Sequence, residues 1–236
     1  MPLLTGRRIL ITGVSRGVGL ETARLFLAEG AEVFGVSRDP GRLERARREL
    51  DPSGERLRVL AAELTAESAP ARIAAAVKER WGALDVLFNN AGVQIDGGTR
   101  GISAASEETF RDSLGVNLVA PYRLCRALLP LLALGREPRL VNVSSGAGNF
   151  ESMGLTDIPT YRLSKFALNG LTLLLAAELA GTVSVNAFDP GWVKTDLGGP
   201  SAPGSPVESA RGALALVSMP FEVSGKFWKD GAEIPF

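Results

Sequence analysis

A tyrosine and a lysine stand four residues apart in "TYRLSK", Thr160 to Lys165, at the head of a long helical run. Positions i and i+4 share one helix face, which places Lys165 beside the phenol of Tyr161. A free tyrosine has a pKa of about 10, too high for proton transfer near neutrality. A neighbouring cation favours phenolate and lowers that value, so the pair predicts a general acid/base. The same spacing also suits a packed surface tyrosine with a snorkelling lysine. The chain has no histidine. That removes the commonest proton-transfer side chain and with it any Ser-His-Asp triad. With no histidine and the single Cys125, a zinc site is not expected.

A second constellation lies at the other end of the chain. "TGVSRGVG" (12–19) follows an apolar strand-like run and opens a helical one. Gly13 permits a tight turn, Gly17 lets the backbone approach a diphosphate, and Gly19 allows close helix packing. The free N–H groups and partial positive charge of the helix N-terminus complete an anion site. The second strand-like run ends "VSRD". NAD enzymes place a carboxylate there for the ribose 2′-hydroxyl, whereas Arg38 with Arg16 suits a 2′-phosphate through bidentate, charge-assisted bonds. This predicts NADPH; Asp39, if it closes the strand, favours NAD instead.

The elements that must position these residues alternate along the chain. Apolar runs at 7–12, 31–37, 56–62, 84–90, 139–145 and 184–191 read as strands, with a last one at 225–231. Helical patterns cover 18–30, 40–50, about 65–81 with Thr65 as N-cap, 104–134, 159–180 and 205–218 with Ser205 as cap. Pro121 and Pro130 should cap, kink or break the helical region 104–134. Continuous rather than alternating apolar strands predict a parallel sheet covered on both faces, a doubly wound α/β fold of about seven strands in one domain, 1–236. Ligands are expected at the carboxyl ends of its strands. The loop "DLGGPSAPGSP" (196–206) should overhang that crevice.

Lys+Arg and Asp+Glu are both 26, so no net field attracts nucleic acid or an anionic membrane. The Arg-rich stretch 42–51 reads as a solvated helix face. Asn142 in "NVS" matches a glycosylation acceptor but sits in an apolar run, which reads as chance. A lone cysteine, no membrane-length apolar run and no signal-peptide order in "MPLLTGRRILITG" lead us to expect a cytoplasmic protein.

Taken together, the sequence resembles the short-chain dehydrogenase/reductase family over essentially its whole length. "TGVSRGVG" is similar to the family's T-G-x₃-G-x-G turn, "NNAG" (89–92) to the segment after its fourth strand, and Asn117 to its helix asparagine. "VNVSS" (141–145), "YRLSK" (161–165) and "PGWVKTD" (190–196) match its remaining motifs in order. Within the family, the chain looks most like NADPH-dependent carbonyl reductases. The resemblance implies catalytic roles for Ser145, Tyr161, Lys165 and Asn117, with Lys165 also binding the nicotinamide ribose and Asn117 holding a relay water. It implies cofactor contacts at Gly13, Ser15, Arg16, Gly17, Val18 and Gly19. Others fall at Arg38, at Glu63 and Leu64 near the adenine, and at Asn90, Ala91 and Gly92. Pro190, Gly191, Val193 and Thr195 would hold the carboxamide.

Two departures stand out. Glu63 takes the place of the family's usual aspartate. The gap from Ser145 to Tyr161 is sixteen residues against the family's usual thirteen, which leaves Ser144 a rival to Ser145. The implied activity is reversible reduction of a ketone or aldehyde, with a small-molecule carbonyl as partner. A nucleotide-sensing scaffold without turnover, or a 3-oxoacyl carrier reductase, are the alternatives; the loop 196–206 carries no Lys or Arg to dock an acidic carrier. The family often pairs into dimers or tetramers through the regions 104–134 and 159–180, while some carbonyl reductases are monomers.

Overall fold

The computed structural model describes residues 2–236. The chain runs β1 (Arg8–Thr12), α1 (Gly17–Ala28), β2 (Glu32–Ser37), α2 (Pro40–Leu50), β3 (Leu57–Ala61), α3 (Ala69–Trp81), β4 (Val86–Asn89), α4 (Glu107–Leu114) and α5 (Ala120–Leu132). It continues β5 (Arg139–Val143), α6 (Pro159–Glu178), β6 (Ser184–Phe188), α7 (Pro206–Val217), β7 (Phe227–Lys229) and β8 (Ala232–Ile234). Among the described residues these strands form one sheet in the order β3-β2-β1-β4-β5-β6-β7-β8. Every pairing is parallel except β7 with β8. The winding reverses between β1 and β4, the switch point at which such sheets open a crevice.

The alternation of buried side chains explains the layering. Leu10 of β1 packs with Phe34, Leu124, Leu128 and Leu140 on one face, while Ile9 and Ile11 pack with Phe26, Leu43, Phe88 and Leu216 on the other. Both faces are apolar, as a doubly covered parallel sheet requires.

Three local expectations need correction. The third helix begins at Ala69, not at Thr65, because Pro70 fits a first helical turn and Thr65 instead donates its hydroxyl to Glu63 (3.1 Å). The region 104–134 is not one helix: a short 3₁₀ turn and α4 are followed by a π-helical turn at Gly115–Val119, and only then by α5. Pro121 has no N–H for the carbonyl of Asn117, four residues back, and the ladder changes register there. The last strand is a hairpin: Asp230 (φ +49) and Gly231 (φ +80) are both left-handed, the two-residue turn that reverses β7 into β8.

A buried polar ladder ties the sheet to α6. The Asn89 amide donates to Asn142 (2.9 Å), Asn142 donates to the Thr172 hydroxyl (3.0 Å), and Thr172 donates to the Leu168 carbonyl (2.8 Å). Asn142 has no exposed surface, in keeping with reading "NVS" as chance. Removing one member strands its donor in a dry interior. We expect Asn142→Ala to lose about 1–3 kcal/mol of stability from the orphaned Asn89 amide, measured as a lower urea midpoint at unchanged m-value.

Candidate active site

The ends of β1 and β4 are locked to each other first. The Thr12 hydroxyl accepts from the backbone N–H groups of Asn90 and Ala91 (both 3.0 Å), and the Asn90 side chain donates to the Thr12 carbonyl (2.8 Å). Against this seam the glycine turn leaves no room for side chains. A Cβ at Gly19 would sit 2.3 Å from the Gly13 carbonyl oxygen and 2.4 Å from the Asn90 amide nitrogen. Gly13 (φ +72) and Gly17 (φ +58) adopt left-handed backbone that a side chain would strain. Arg16, at the N-cap of α1, makes no side-chain cap bond. The first amides of the helix are thus left to an anion.

A crevice of about 1500 Å³ opens along the carboxyl ends of the strands. Usual small-ligand sites span about 300–1,000 Å³, so this one has room for a dinucleotide and a second molecule. It brings together every residue expected of the site except Asn117: the turn from Gly13 to Gly19, Arg38, Glu63, Leu64, Asn90 to Gly92, Ser145, Tyr161, Lys165, and Pro190 to Thr195.

Two of those side chains are buried against their chemistry. Tyr161 is 9% exposed and Lys165 3%. Burial pushes the phenol up to about 12, partly offset by the Ser145 hydroxyl beside it and reinforced by the charges of Asp189 and Asp96. Burial likewise pushes the Lys165 ammonium down to about 8, partly offset by Asp189. Burial thus opposes the lowering expected from Lys165, although the lysine does lie over the tyrosine ring, 5.7 Å from its centre. Its Nζ donates to the Val143 carbonyl (2.8 Å). Gly92 makes the space: a Cβ there would stand 3.4 Å from Lys165 Nζ and 3.3 Å from Asn117 Oδ1.

The two serines part company. Ser144 is 1% exposed and its hydroxyl turns toward the Lys165 carbonyl (3.4 Å). Ser145 is only half-buried, accepts from Ala147 N–H (3.2 Å), and lies close enough to the phenol to lower its pKa. Asn117, fully buried, accepts from Val93 N–H (2.8 Å) and donates to the Val93 carbonyl (2.8 Å) and Ser164 (2.9 Å). Its side chain is thus committed to holding the segment after β4.

At the far end of the crevice, Asp39 caps α2 by accepting from Arg42 N–H (2.9 Å). That bond, with Arg42 beside it, holds its carboxyl below the usual range. Arg38 faces Glu63 (3.6 Å), while Arg16 pairs with Asp196 across the crevice and Arg42 lies 3.8 Å from the same carboxylate. Arg42 therefore lines the crevice, a position that the reading of 42–51 as a solvated face misses; its signal is a place one helical turn past Arg38. Asp189 is also missed. It is 4% exposed and accepts from Gly146 N–H (3.1 Å) and Gly191 N–H (2.9 Å), with Lys229 at 3.5 Å. Only its place just before Pro190 hinted at it.

The short chain dehydrogenase model matches residues 7–205, and the chain belongs to that family. Among curated proteins it is similar to (+)-neomenthol dehydrogenase of Arabidopsis thaliana, 28% identical over 92% of this chain and 93% of that one. A 3-oxoacyl-acyl-carrier-protein reductase of Vibrio cholerae is 31% identical over 82% of this chain and 76% of its own length. Among solved structures, the NADPH-bound carbonyl reductase from chicken fatty liver superposes with a TM-score of 0.90 at 29% identity, covering 99% of this chain and all of that one (100%).

The burial of Tyr161 gives a direct test. Without added cofactor, Tyr161→Phe should leave tyrosinate absorbance unchanged up to about pH 10, where a phenol near 12 is only about 1% ionised. A loss of signal in the variant would mean that the phenol ionises earlier.

Proposed function

We propose that the protein reduces a ketone or aldehyde to an alcohol with NADPH, reversibly, and that residues 1–236 act as one dinucleotide-binding and catalytic domain. The observation that carries this is the meeting of the glycine turn, Ser145 and the buried Tyr161–Lys165 pair along one crevice. The donor set fits the cofactor. The glycine turn at the α1 N-terminus would take the diphosphate, and Arg16, Arg38 and Arg42 would take a 2′-phosphate. Asp39 spends Oδ1 as a helix cap and lies beside Arg42, which disfavours it as the carboxylate that an NAD ribose prefers. Glu63 and Leu64 would border the adenine, and Pro190, Gly191, Val193 and Thr195 the carboxamide.

When bound, the nicotinamide supplies the hydride. The residues of this chain do the rest. Ser145 donates a hydrogen bond to the carbonyl oxygen, where negative charge develops. Tyr161 gives that oxygen its proton; at neutral pH the phenol is fully protonated, the form that reduction consumes. Lys165, cationic below about 8, favours the phenolate left behind and would hold the ribose hydroxyls. The side chain of Asn117 is committed to Val93 and Ser164, so a relay water would have to be held by its main chain instead. The lone buried Cys125, pushed up to about 12 by burial, agrees with a cytoplasmic setting in which thiols play no structural part. Exposed Phe166, Leu173 and Leu174 on α6 are the surface through which copies would pair if the protein assembles as many of its relatives do.

An assay of cofactor oxidation over a carbonyl panel, with a 3-oxoacyl thioester included, tests the reading. Tyr161→Phe should cost about 10²–10⁴-fold in kcat. Cofactor binding without turnover in the wild type would make the protein a sensor. Arg38→Ala should weaken NADPH by about 10-fold or more and leave NADH unchanged; equal affinities in both proteins would sink the NADPH assignment. Lys165 loses its charge as pH rises through about 8, so kcat/KM for reduction should fall above that pH. A profile flat to pH 10 would contradict the role given to Lys165.

A further inference from the structure

The helix that carries Tyr161 begins without a cap of its own. Its N-cap is Ile158, which has no side-chain acceptor, and its next residue is Pro159, which has no N–H. Arg162 N–H already bonds the Ile158 carbonyl (3.0 Å). The N–H groups of Thr160 and Tyr161 are the orphans of that first turn. Both are taken by one buried carboxylate from the segment after β4. Asp96, 2% exposed, accepts from Thr160 N–H (2.7 Å), the Thr160 hydroxyl (2.7 Å) and Tyr161 N–H (3.2 Å), all on Oδ2. Because Thr160 spends its hydroxyl proton on Asp96, the bond between Ser113 and Thr160 (3.0 Å) has Ser113 as donor, and α4 joins the same node.

The junction is strained. Ile158 adopts φ +44, ψ 50, a left-handed conformation that is unfavourable for a β-branched residue and persists only where its surroundings over-determine it. The surroundings do so from both sides. Asp96 fixes Thr160 and Tyr161 after it. The buried guanidinium of Arg162 fixes Asp157 before it, through the carbonyl (2.9 Å) and the carboxylate (2.6 Å). Ile158 also lines the crevice. The strain therefore sits three residues before the phenol, on the three-residue-longer approach to Tyr161.

We infer that Asp96 is a positioning residue for Tyr161: it caps α6 from the segment after β4 and so fixes the place of the phenol relative to Ser145. Asp96 lies four residues past Gly92, the glycine that makes room for Lys165 Nζ, so one short segment governs where both the tyrosine and the lysine stand. The inference rests on the reductase reading for its kinetic arm alone.

The test uses the full chain, first without cofactor. Asp96→Ala should make the Thr160 and Tyr161 amides exchange about 10-fold faster or more, since their acceptor is gone. With NADPH and the best carbonyl of the panel, kcat should fall about 10–100-fold, the scale of an ångström-sized misplacement, with NADPH affinity within 2-fold. Asp96→Asn should restore both readouts to within about 3-fold of wild type, because the two lone pairs of the amide oxygen still serve the Thr160 and Tyr161 N–H groups and Gln94 can turn to meet the amide nitrogen. Should the alanine variant not fold, Thr160→Val, nearly isosteric, should lower kcat about 3–10-fold at unchanged cofactor affinity. Wild-type kcat in the variant that folds, or a fall in kcat without faster exchange in Asp96→Ala, overturns the inference. A wild-type protein without turnover overturns the reductase reading instead, and leaves the exchange arm to decide for Asp96.

Discussion

A lysine ammonium 3% exposed, with one carbonyl as its acceptor, is costly to keep charged, and much of the site is shaped by that cost. Gly92 exists as a vacancy beside its Nζ. The carboxylate of Asp189, itself held by two backbone N–H groups, draws its pKa partway back up. The Val143 carbonyl that accepts from it is the last of β5, where the strand stops and the serines begin. The turn after the serines packs closely on α6 at the same residue, where a Cβ at Gly148 would come within 2.6 Å of the Lys165 backbone. Strand end, serine turn and helix are thus brought to one point by a single charge that has nowhere else to go.

The parts legible in the sequence are those whose physics is local. A glycine that must be left-handed, an apolar run that must be buried on both sides, and a Tyr-x₃-Lys pair on one helix face all declare themselves within a few residues. Ser205 was legible for the same reason, and it heads a full capping box with Glu208. The parts that were not legible depend on partners far along the chain. Asp96 meets Thr160 from 64 positions away, and nothing near either residue announces it. The titration of Tyr161 divides in the same way: its cation neighbour is local, while the desolvation that raises its pKa belongs to the assembled crevice.

The breaks in the helices fall between these cases. Pro121 was visible as an obstacle, yet a proline inside a helical pattern is equally consistent with a kink, a cap or a stop. Asn117 decides the outcome. Its side chain is drawn to Val93 and Ser164, and the turn around it opens to a π register. The side chain of Asn117 thus builds the wall beside Val93, whichever way the proline would have resolved.

The ion pair between Arg16 and Asp196 spans the crevice, and Arg42 stands beside it. Any anion that settles on these guanidinium groups trades places with a carboxylate already there. The crevice then works as an ion exchanger: what it gains is the difference between two anions, and dissolved salt weakens the outgoing contact together with the incoming one. The exchange frees only the Asp196 carboxylate, while the loop it begins stays tied through its backbone, Gly199 N–H on the Thr195 carbonyl (2.8 Å) and Lys194 N–H on the Gly204 carbonyl (3.0 Å).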